Sequence, residues 1–167
     1  MSKTQENLQD AFAGESQANR KYLFFAEKAD KEGHSPIARL FRAAADAETV
    51  HARNHLKTLG GIRTTEENLG EAVSGESYEF TEMYPGFIEQ AKAENNNDGQ
   101  VTFDWANKVE KIHHGLYQKA LEELKAGKKM REGPYFVCQR CGNTVPGEAP
   151  EKCPICGAPR SMFKKVE

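Results

Sequence analysis

The sequence lacks several features that would assign it to a familiar class. It has one tryptophan, no cysteine before position 138, and no apolar run near the roughly 18 residues of a membrane span. The formal net charge is only −2, and acidic and basic residues are mixed, which gives no case for nucleic-acid or membrane binding. The polar first residues carry no secretory signal. These absences predict a soluble, cytoplasmic protein without nucleic-acid or membrane partners.

Two Glu-x-x-His motifs are present, Glu48 with His51 and Glu110 with His113. On a helix this spacing places both side chains on one face, about one turn apart. A carboxylate and an imidazole held in this way can bind the same metal ion. One such pair is weak evidence, because the spacing also occurs by chance on surface helices.

The helical pattern places both motifs in the apolar stripe that faces the core. Buried carboxylates cost several kcal/mol each unless they are compensated. A pair of divalent metal ions would compensate them, so the placement favours metal ligation over a solvated role.

The first 127 residues contain an internal repeat. Gly14-Glu15-Ser16 matches Gly75-Glu76-Ser77 at an offset of 61, and the second Glu-x-x-His motif follows the first at an offset of 62. Two helical hairpins, residues 1–60 and 64–127, would each contribute one glutamate and one Glu-x-x-His pair. This is the di-metal arrangement of ferritin-like four-helix bundles. Glu79 is a surplus carboxylate, because Ala18 occupies its place in the first half.

Capping signals predict the helix boundaries. Ser35, followed by Pro36, is expected to be the N-cap of the second helix, and Thr64 to open the third with a capping box. Pro85 should kink or interrupt the third helix, and Thr102 should cap the fourth.

All four cysteines form two Cys-x-x-Cys-Gly motifs, Cys138 with Cys141 and Cys153 with Cys156. They lie in a segment, residues 135–167, too short to build its own apolar core, after a polar linker at 128–134. Four thiolates suit tetrahedral zinc or iron. Spacing alone favours a zinc ribbon, whereas a neighbouring redox-capable di-metal site favours iron. The expected fold is therefore mainly α, a ferritin-like bundle followed by a small metal-bound β domain of the rubredoxin or zinc-ribbon type.

Taken together, these motifs and the segment Met83-Tyr84-Pro85 resemble the rubrerythrin family over essentially the whole chain. The resemblance implies a di-iron bundle with a C-terminal rubredoxin-like Fe(Cys)4 domain. The implied di-iron ligands are Glu15, Glu48, His51, Glu76, Glu79, Glu110 and His113. The implied ligands of the second centre are Cys138, Cys141, Cys153 and Cys156. It further implies that one iron exchanges Glu79 for His51 on reduction, and that Tyr22 and Tyr84 lie beside the metals as catalytic groups.

The activity implied by the resemblance is reduction of hydrogen peroxide to water by a non-haem di-iron peroxidase that protects against oxidative stress. Electrons would come from NAD(P)H through a separate reductase or rubredoxin. Three alternatives remain open: an iron-oxidising or oxygen-reducing ferritin relative, a di-iron enzyme that oxidises a substrate, and a non-enzymatic adaptor with a zinc ribbon.

The short connection between the hairpins has a consequence for assembly. Residues 60–64 span at most about 18 Å when extended, whereas a return within one bundle requires about 28 Å. We therefore expect a homodimer in which helices one and two of one chain pair with helices three and four of the other. An extended start to helix three, near Gly70, would remove this requirement.

Overall fold

The computed structural model of the chain describes residues 2–130 and 132–167. The chain divides into two compact units, the first ending at Arg63 and the second beginning at Thr64. Both helical hairpins that the repeat predicts are present, one in each unit.

The first unit is a hairpin of α1 (Lys3–Lys31) and α2 (Ser35–Thr58). Its buried apolar residues are small, among them Ala26, Ala29 and Ala38. Alanines at the contact allow two helices to approach closely. The predicted N-cap is wrong by one residue: His34 holds that position without a side-chain cap, and Ser35 is already helical beside Pro36. The fixed φ of Pro36 suits the first turn.

The helices of the second unit are α3 (Thr65–Tyr78), a π-helical segment (Glu79–Met83), α4 (Tyr84–Ala93) and α5 (Asn97–Lys125). The capping box at Thr64 is confirmed, since its side chain accepts from Glu67 N–H and Glu67 reaches back to Thr64 N–H. The interruption expected at Pro85 is also confirmed, because the π-helical segment separates α3 from α4, and Pro85 is the second residue of α4.

The predicted cap of the last helix is wrong. Helix α5 begins at Asn97, five residues before Thr102, because the Asn96 side chain accepts from Gly99 N–H at 2.9 Å. Asparagine is among the best N-cap residues, and its carboxamide satisfies an N–H that the helix itself leaves free. The asparagine-rich segment that reads as a loop therefore supplies the first turn.

The second unit ends in a three-stranded antiparallel sheet of order β2-β1-β3. Its strands are β1 (Tyr135–Cys138), β2 (Thr144–Pro146) and β3 (Phe163–Val166). Buried Cys138, Cys153 and Ala158 form its small core. The expected mainly α class with a small C-terminal β domain is confirmed. Part of the predicted linker, Arg131, lies outside the described residues.

Among residues 2–130 and 132–167, no helix is both long and apolar enough to cross a bilayer.

Candidate metal centres

The first unit brings Glu15, Glu48 and His51 together, with one possible ligand atom of each within 4.8 Å of the others. The Nδ1 atom of His51 lies 2.8 Å from a Glu48 oxygen and 3.8 Å from a Glu15 oxygen. The His51 side chain is 53% exposed, whereas Glu48 is only 18% exposed. We call these three residues the first half-site.

The second unit repeats the arrangement with Glu76, Glu110 and His113, again within 4.8 Å. The Nδ1 atom of His113 lies 2.7 Å from a Glu110 oxygen and 3.8 Å from a Glu76 oxygen. Here the histidine side chain is only 26% exposed. We call these residues the second half-site. The two half-sites match in donor set and in distances to within 0.1 Å.

The second half-site has an unfavourable concentration of negative charge. Burial and the neighbouring Glu110 carboxylate raise the pKa of Glu76 from 4.5 to about 7. The hydrogen bond to Glu110 raises the pKa of His113, although burial opposes it. Protons therefore offset part of the repulsion among these groups. A divalent cation would replace those protons, and carboxylate and imidazole donors suit iron, so the residues fit the metal.

Glu79 and Tyr84 share the electrostatic environment of the second half-site. Burial raises the pKa of Glu79, and the charge of Glu110 adds to this. Burial also raises the pKa of Tyr84, with further contributions from the charges of Glu110 and Glu79. Glu79 is nevertheless not one of the three donors that lie within 4.8 Å of one another.

The first predicted catalytic tyrosine, Tyr22, lies within an aromatic cluster. Its ring centroid is 6.1 Å from that of Phe41 and 6.4 Å from that of Phe25, and the two phenylalanine centroids are 5.6 Å apart.

An equivalent cluster surrounds Tyr84, whose ring centroid lies 6.1 Å from Phe87 and 6.3 Å from Phe103. All three of its members follow those of the first cluster at an offset of 62. Sequence reasoning missed this part of the repeat, although the offset itself would have revealed it.

The π-helical segment has a direct cause in the sequence. The offset between the halves is 61 at Glu76 but 62 at Tyr84, so the second half has one additional residue between these positions. The π-helical segment Glu79–Met83 accommodates it, because a π-turn holds one residue more than an α-turn. Glu79 opens this segment. Such segments inside α-helices are frequent at functional sites.

The four cysteines also form one cluster, with all four sulfurs within 4.8 Å. Cys138 Sγ lies 3.7 Å from Cys156 Sγ, and Cys141 Sγ lies 3.5 Å from Cys153 Sγ. A tetrahedron with metal–sulfur bonds of about 2.3 Å has edges of about 3.8 Å, so the sulfurs fit a metal.

The environment of Cys153 also favours a thiolate. Burial alone would raise the pKa of Cys153, but the backbone N–H groups of Cys156 and Ile155 lower it to about 7. Burial raises the pKa of Cys141 and of Cys156, so Cys153 is the member of the cluster whose lowered pKa favours the metal-binding thiolate.

Other histidines remain apart from these clusters among the described residues. His114 packs against the Phe80 ring with centroids 5.4 Å apart. His34 occupies the N-cap of α2.

Two three-donor carboxylate–histidine clusters and a separate four-cysteine cluster define a di-metal carboxylate protein with an additional S4 metal site. Comparison with known families makes this specific: the Rubrerythrin family model matches residues 6–121, and the model of the rubrerythrin rubredoxin-like domain matches residues 136–164. The chain belongs to the rubrerythrin family.

Its relatives support this assignment along the whole chain. It is 34% identical to "Rubrerythrin-2" of Clostridium acetobutylicum, with 96% of this chain and 95% of the relative covered. It is 35% identical to "Rubrerythrin" of Porphyromonas gingivalis, with coverage of 99% and 91%. A solved structure titled "Partially Reduced State of Nigerythrin" matches with a TM-score of 0.59 at 33% identity, covering 99% of this chain and 88% of that one.

Membership of this family identifies iron as the metal of both kinds of site. The helical part belongs to the ferritin-like class with a di-iron site, and the four cysteines form a rubredoxin-like mononuclear iron site. Proteins of this family are oxidoreductases.

Proposed function

We propose that the protein reduces hydrogen peroxide to water at its di-iron site, with electrons entering through the four-cysteine iron site. The observation that carries this proposal is that the second unit holds both a half-site and the four-cysteine domain, and that a residue of this domain contacts the half-site. The Thr144 hydroxyl oxygen, three residues after Cys141, lies 2.9 Å from His113 Nε2. A four-cysteine iron suits one-electron transfer, because its geometry changes little.

The donor set fits the chemistry of O–O cleavage. When bound, two ferrous ions supply both electrons and Lewis-acid polarisation of the peroxide. The proposed ligands are Glu15, Glu48, His51, Glu76, Glu79, Glu110 and His113. Reduction of one peroxide to two waters consumes two protons. Carboxyl groups near the site, Glu79 among them, can deliver protons, and the Tyr84 hydroxyl close to Glu79 can orient the substrate.

We further propose that residues 1–127 act as the bundle, 128–134 as a linker and 135–167 as the electron-transfer domain. The proposed electron source is NAD(P)H through a separate reductase or rubredoxin, and the proposed location is the cytoplasm.

We propose His51 and Glu79 as alternating ligands of one iron. His51 has the exposure that such an exchange needs, and Glu79 begins a π-helical segment.

A homodimer with exchanged hairpins is part of the same proposal. Each unit supplies three of the donors, and helix α3 is regular from Thr65 through Gly70, which removes the extended start that a return within one bundle would need. Lengthening the Gly60–Thr64 connection with flexible residues should then yield monomers on a sizing column. A native protein that is monomeric with intact iron would contradict the exchange.

The decisive experiment mixes fully reduced, anaerobic protein with hydrogen peroxide and, separately, with oxygen. Return of the ferric four-cysteine colour is followed in each case. Peroxide should restore the colour rapidly and oxygen much more slowly. Faster recolouring by oxygen would favour a ferroxidase or oxygen-activating function. A protein that stays colourless when oxidised would favour the zinc-ribbon adaptor.

A further inference from the structure

The four-cysteine domain packs against helix α5 of its own chain in a regular pattern. Three residues of the helix, spaced four positions apart in the sequence, contact three residues of the domain, which are spaced two positions apart. The pairs are Trp105 with Arg140, Val109 with Gly142, and His113 with Thr144.

The contacts follow from the turn that connects β1 to β2. Arg140 and Gly142 lie in this connection, and Thr144 is the first residue of β2. The same connection therefore places all three residues against α5.

The first two contacts fix the domain on the helix. The Arg140 guanidinium carbon lies 5.1 Å from the centroid of the Trp105 ring, a cation–π contact. Val109 is only 2% exposed, and a Cβ at Gly142 would lie 3.7 Å from its Cγ1 atom. Gly142 also has φ +84°, a conformation that favours glycine, so the chain can turn here against the helix.

The third contact determines where the proton of the His113 ring lies. Thr144 Oγ1 donates its proton to the Gly142 carbonyl oxygen at 3.0 Å. Its lone pairs remain available, so it accepts from His113 Nε2–H at 2.9 Å. The opposite nitrogen, Nδ1, faces Glu110 at 2.7 Å. With Nε2–H held by Thr144, Nδ1 is the nitrogen that a metal beside Glu110 would bind, in place of the proton that Nδ1 shares with this carboxylate.

We propose that Thr144 is a positioning residue for the metal ligand His113, so that the four-cysteine domain orients a ligand of the di-iron site in its own chain. This inference rests on the proposed role of His113 as a ligand. Partners of this kind fix the tautomer and the ring orientation of metal-bound histidines, and their loss typically costs 10- to 100-fold in metal affinity or activity.

The first half-site provides an internal reference. His51 also has its Nδ1 atom beside a glutamate, at 2.8 Å from Glu48. Within the part of the chain that the structure describes, its Nε2 atom has no hydrogen-bond partner. Its ring is twice as exposed as that of His113, at 53% against 26%. The two histidines thus differ in the contact that Thr144 provides.

The test uses the full-length protein loaded with Zn(II), which is diamagnetic, with 15N-labelled histidine. The Nε2–H proton of His113 should give a separate, slowly exchanging NMR signal, whereas that of His51 should exchange rapidly with water. If both protons exchange at the same rate in the unaltered protein, the proposal is wrong, and no variant is needed to show it.

Two variants at one position separate the hydroxyl from the shape of the side chain. Thr144→Val keeps the volume and the β-branching of a strand residue but removes the acceptor, and the slowly exchanging signal should disappear. Thr144→Ser keeps the hydroxyl and should retain the signal. Thr58→Val, which removes an exposed hydroxyl that donates to Asn54 O, is the matched control and should change nothing.

Metal affinity gives a second readout that does not depend on turnover. Co(II) titration of metal-free Thr144→Val should show binding at the carboxylate site weakened about 10-fold or more, with binding at the four cysteines unchanged. Equal affinity in the valine variant would overturn the proposal. Neither experiment uses peroxide, so failure of the proposed peroxidase activity would leave the test intact.

Discussion

The two half-sites share their donors but differ in their support. In the first unit, His51 stands on an exposed helix face with one ring nitrogen beside Glu48. In the second unit, His113 is held from both sides, by Glu110 and by Thr144. The first half lies on regular α-helices, whereas the second contains the π-helical segment with the surplus carboxylate Glu79.

This difference suits a division of labour. A metal that changes ligands during a redox cycle needs one mobile ligand and one fixed partner. In the proposed ligand exchange, the exposure of His51 suits the mobile ligand, and the contacts of His113 suit the fixed one. The internal repeat therefore supplies two equivalent donor sets. The contact with Thr144 and the π-helical segment make the second set different from the first.

The strongest test of this comparison removes each histidine in turn. His113→Ala should lower iron occupancy of the carboxylate site by at least about 100-fold in affinity, more than the loss of an outer partner costs. His51→Ala should retain iron in the oxidised protein but lose most peroxide turnover. Iron content and single-turnover kinetics measure the two effects.

Controls for these variants are nearby. His114→Ala, which removes a ring packed on Phe80, and His55→Ala on α2 should leave iron content unchanged. Equal loss of iron from His51→Ala and His113→Ala would contradict the division between a mobile and a fixed ligand.

Glu79 should be needed for turnover more than for binding. Glu79→Ala leaves all three donors of the second half-site in place, so iron should still bind. Peroxide turnover should fall about 100-fold, a usual cost for losing a group that moves protons or exchanges as a ligand. Glu82→Ala, at an exposed position of the same π-helical segment, is the control. Normal turnover of Glu79→Ala would remove Glu79 from the mechanism.

The π-helical segment itself can be removed. Deleting Thr81, an exposed residue whose hydroxyl donates to the nearby Ser77 carbonyl oxygen, should restore the offset of 61 and a regular helix. Glu79 would then take the position that Ala18 has in the first half, and turnover should fall about 10-fold with iron retained. Retention of full turnover would show that the segment is only a structural remnant of the insertion.

The tyrosines should show a smaller asymmetry. Tyr84→Phe removes a hydroxyl near the charges of Glu110 and Glu79, so a loss of turnover of about threefold to tenfold is expected. Tyr22→Phe should cost less, because the surplus carboxylate has no counterpart in the first half. Peroxide kinetics of both variants under the same conditions give the comparison. A larger effect for Tyr22→Phe would reverse the assignment.

Much of this site could be predicted from the sequence, for a physical reason. Acids in an apolar stripe are costly without compensation, so Glu48 and Glu110 indicated metal before any coordinates. The capping box at Thr64 could also be predicted from the sequence, because a capping box is a local sequence pattern. The N-cap of α5 at Asn96 could not be predicted, because an asparagine-rich stretch occurs in loops and at caps alike.

The contact between Thr144 and His113 could not be predicted at all. It joins residues 31 positions apart on a strand and a helix, and no periodicity within either element points to the other. The contact exists because the domain packs on α5 through the connection between β1 and β2 and through the first residue of β2. Docking between elements is a tertiary property that one sequence does not show.

The smallest expected effect concerns stability without metal. Because the folded-state pKa of Glu76 is raised from 4.5 to about 7, and that of His113 is also raised, the folded metal-free protein binds more protons than the unfolded chain. The stabilisation from these protons is complete below about pH 4.5 and is lost as the pH rises through about 7. Partial exposure limits it to about 1–2 kcal/mol.

In thermal melts, Glu76→Gln should remove the effect and raise the stability of the metal-free protein at pH 8. Glu15→Gln, the equivalent change in the first half-site, is the comparison and should give the smaller change. Iron should reverse the trend in the unaltered protein, because metal binding releases the same protons and becomes stronger as the pH rises. A metal-free protein whose stability is equal at pH 5 and pH 8, and unaffected by Glu76→Gln, would contradict the crowding of charge in the second half-site.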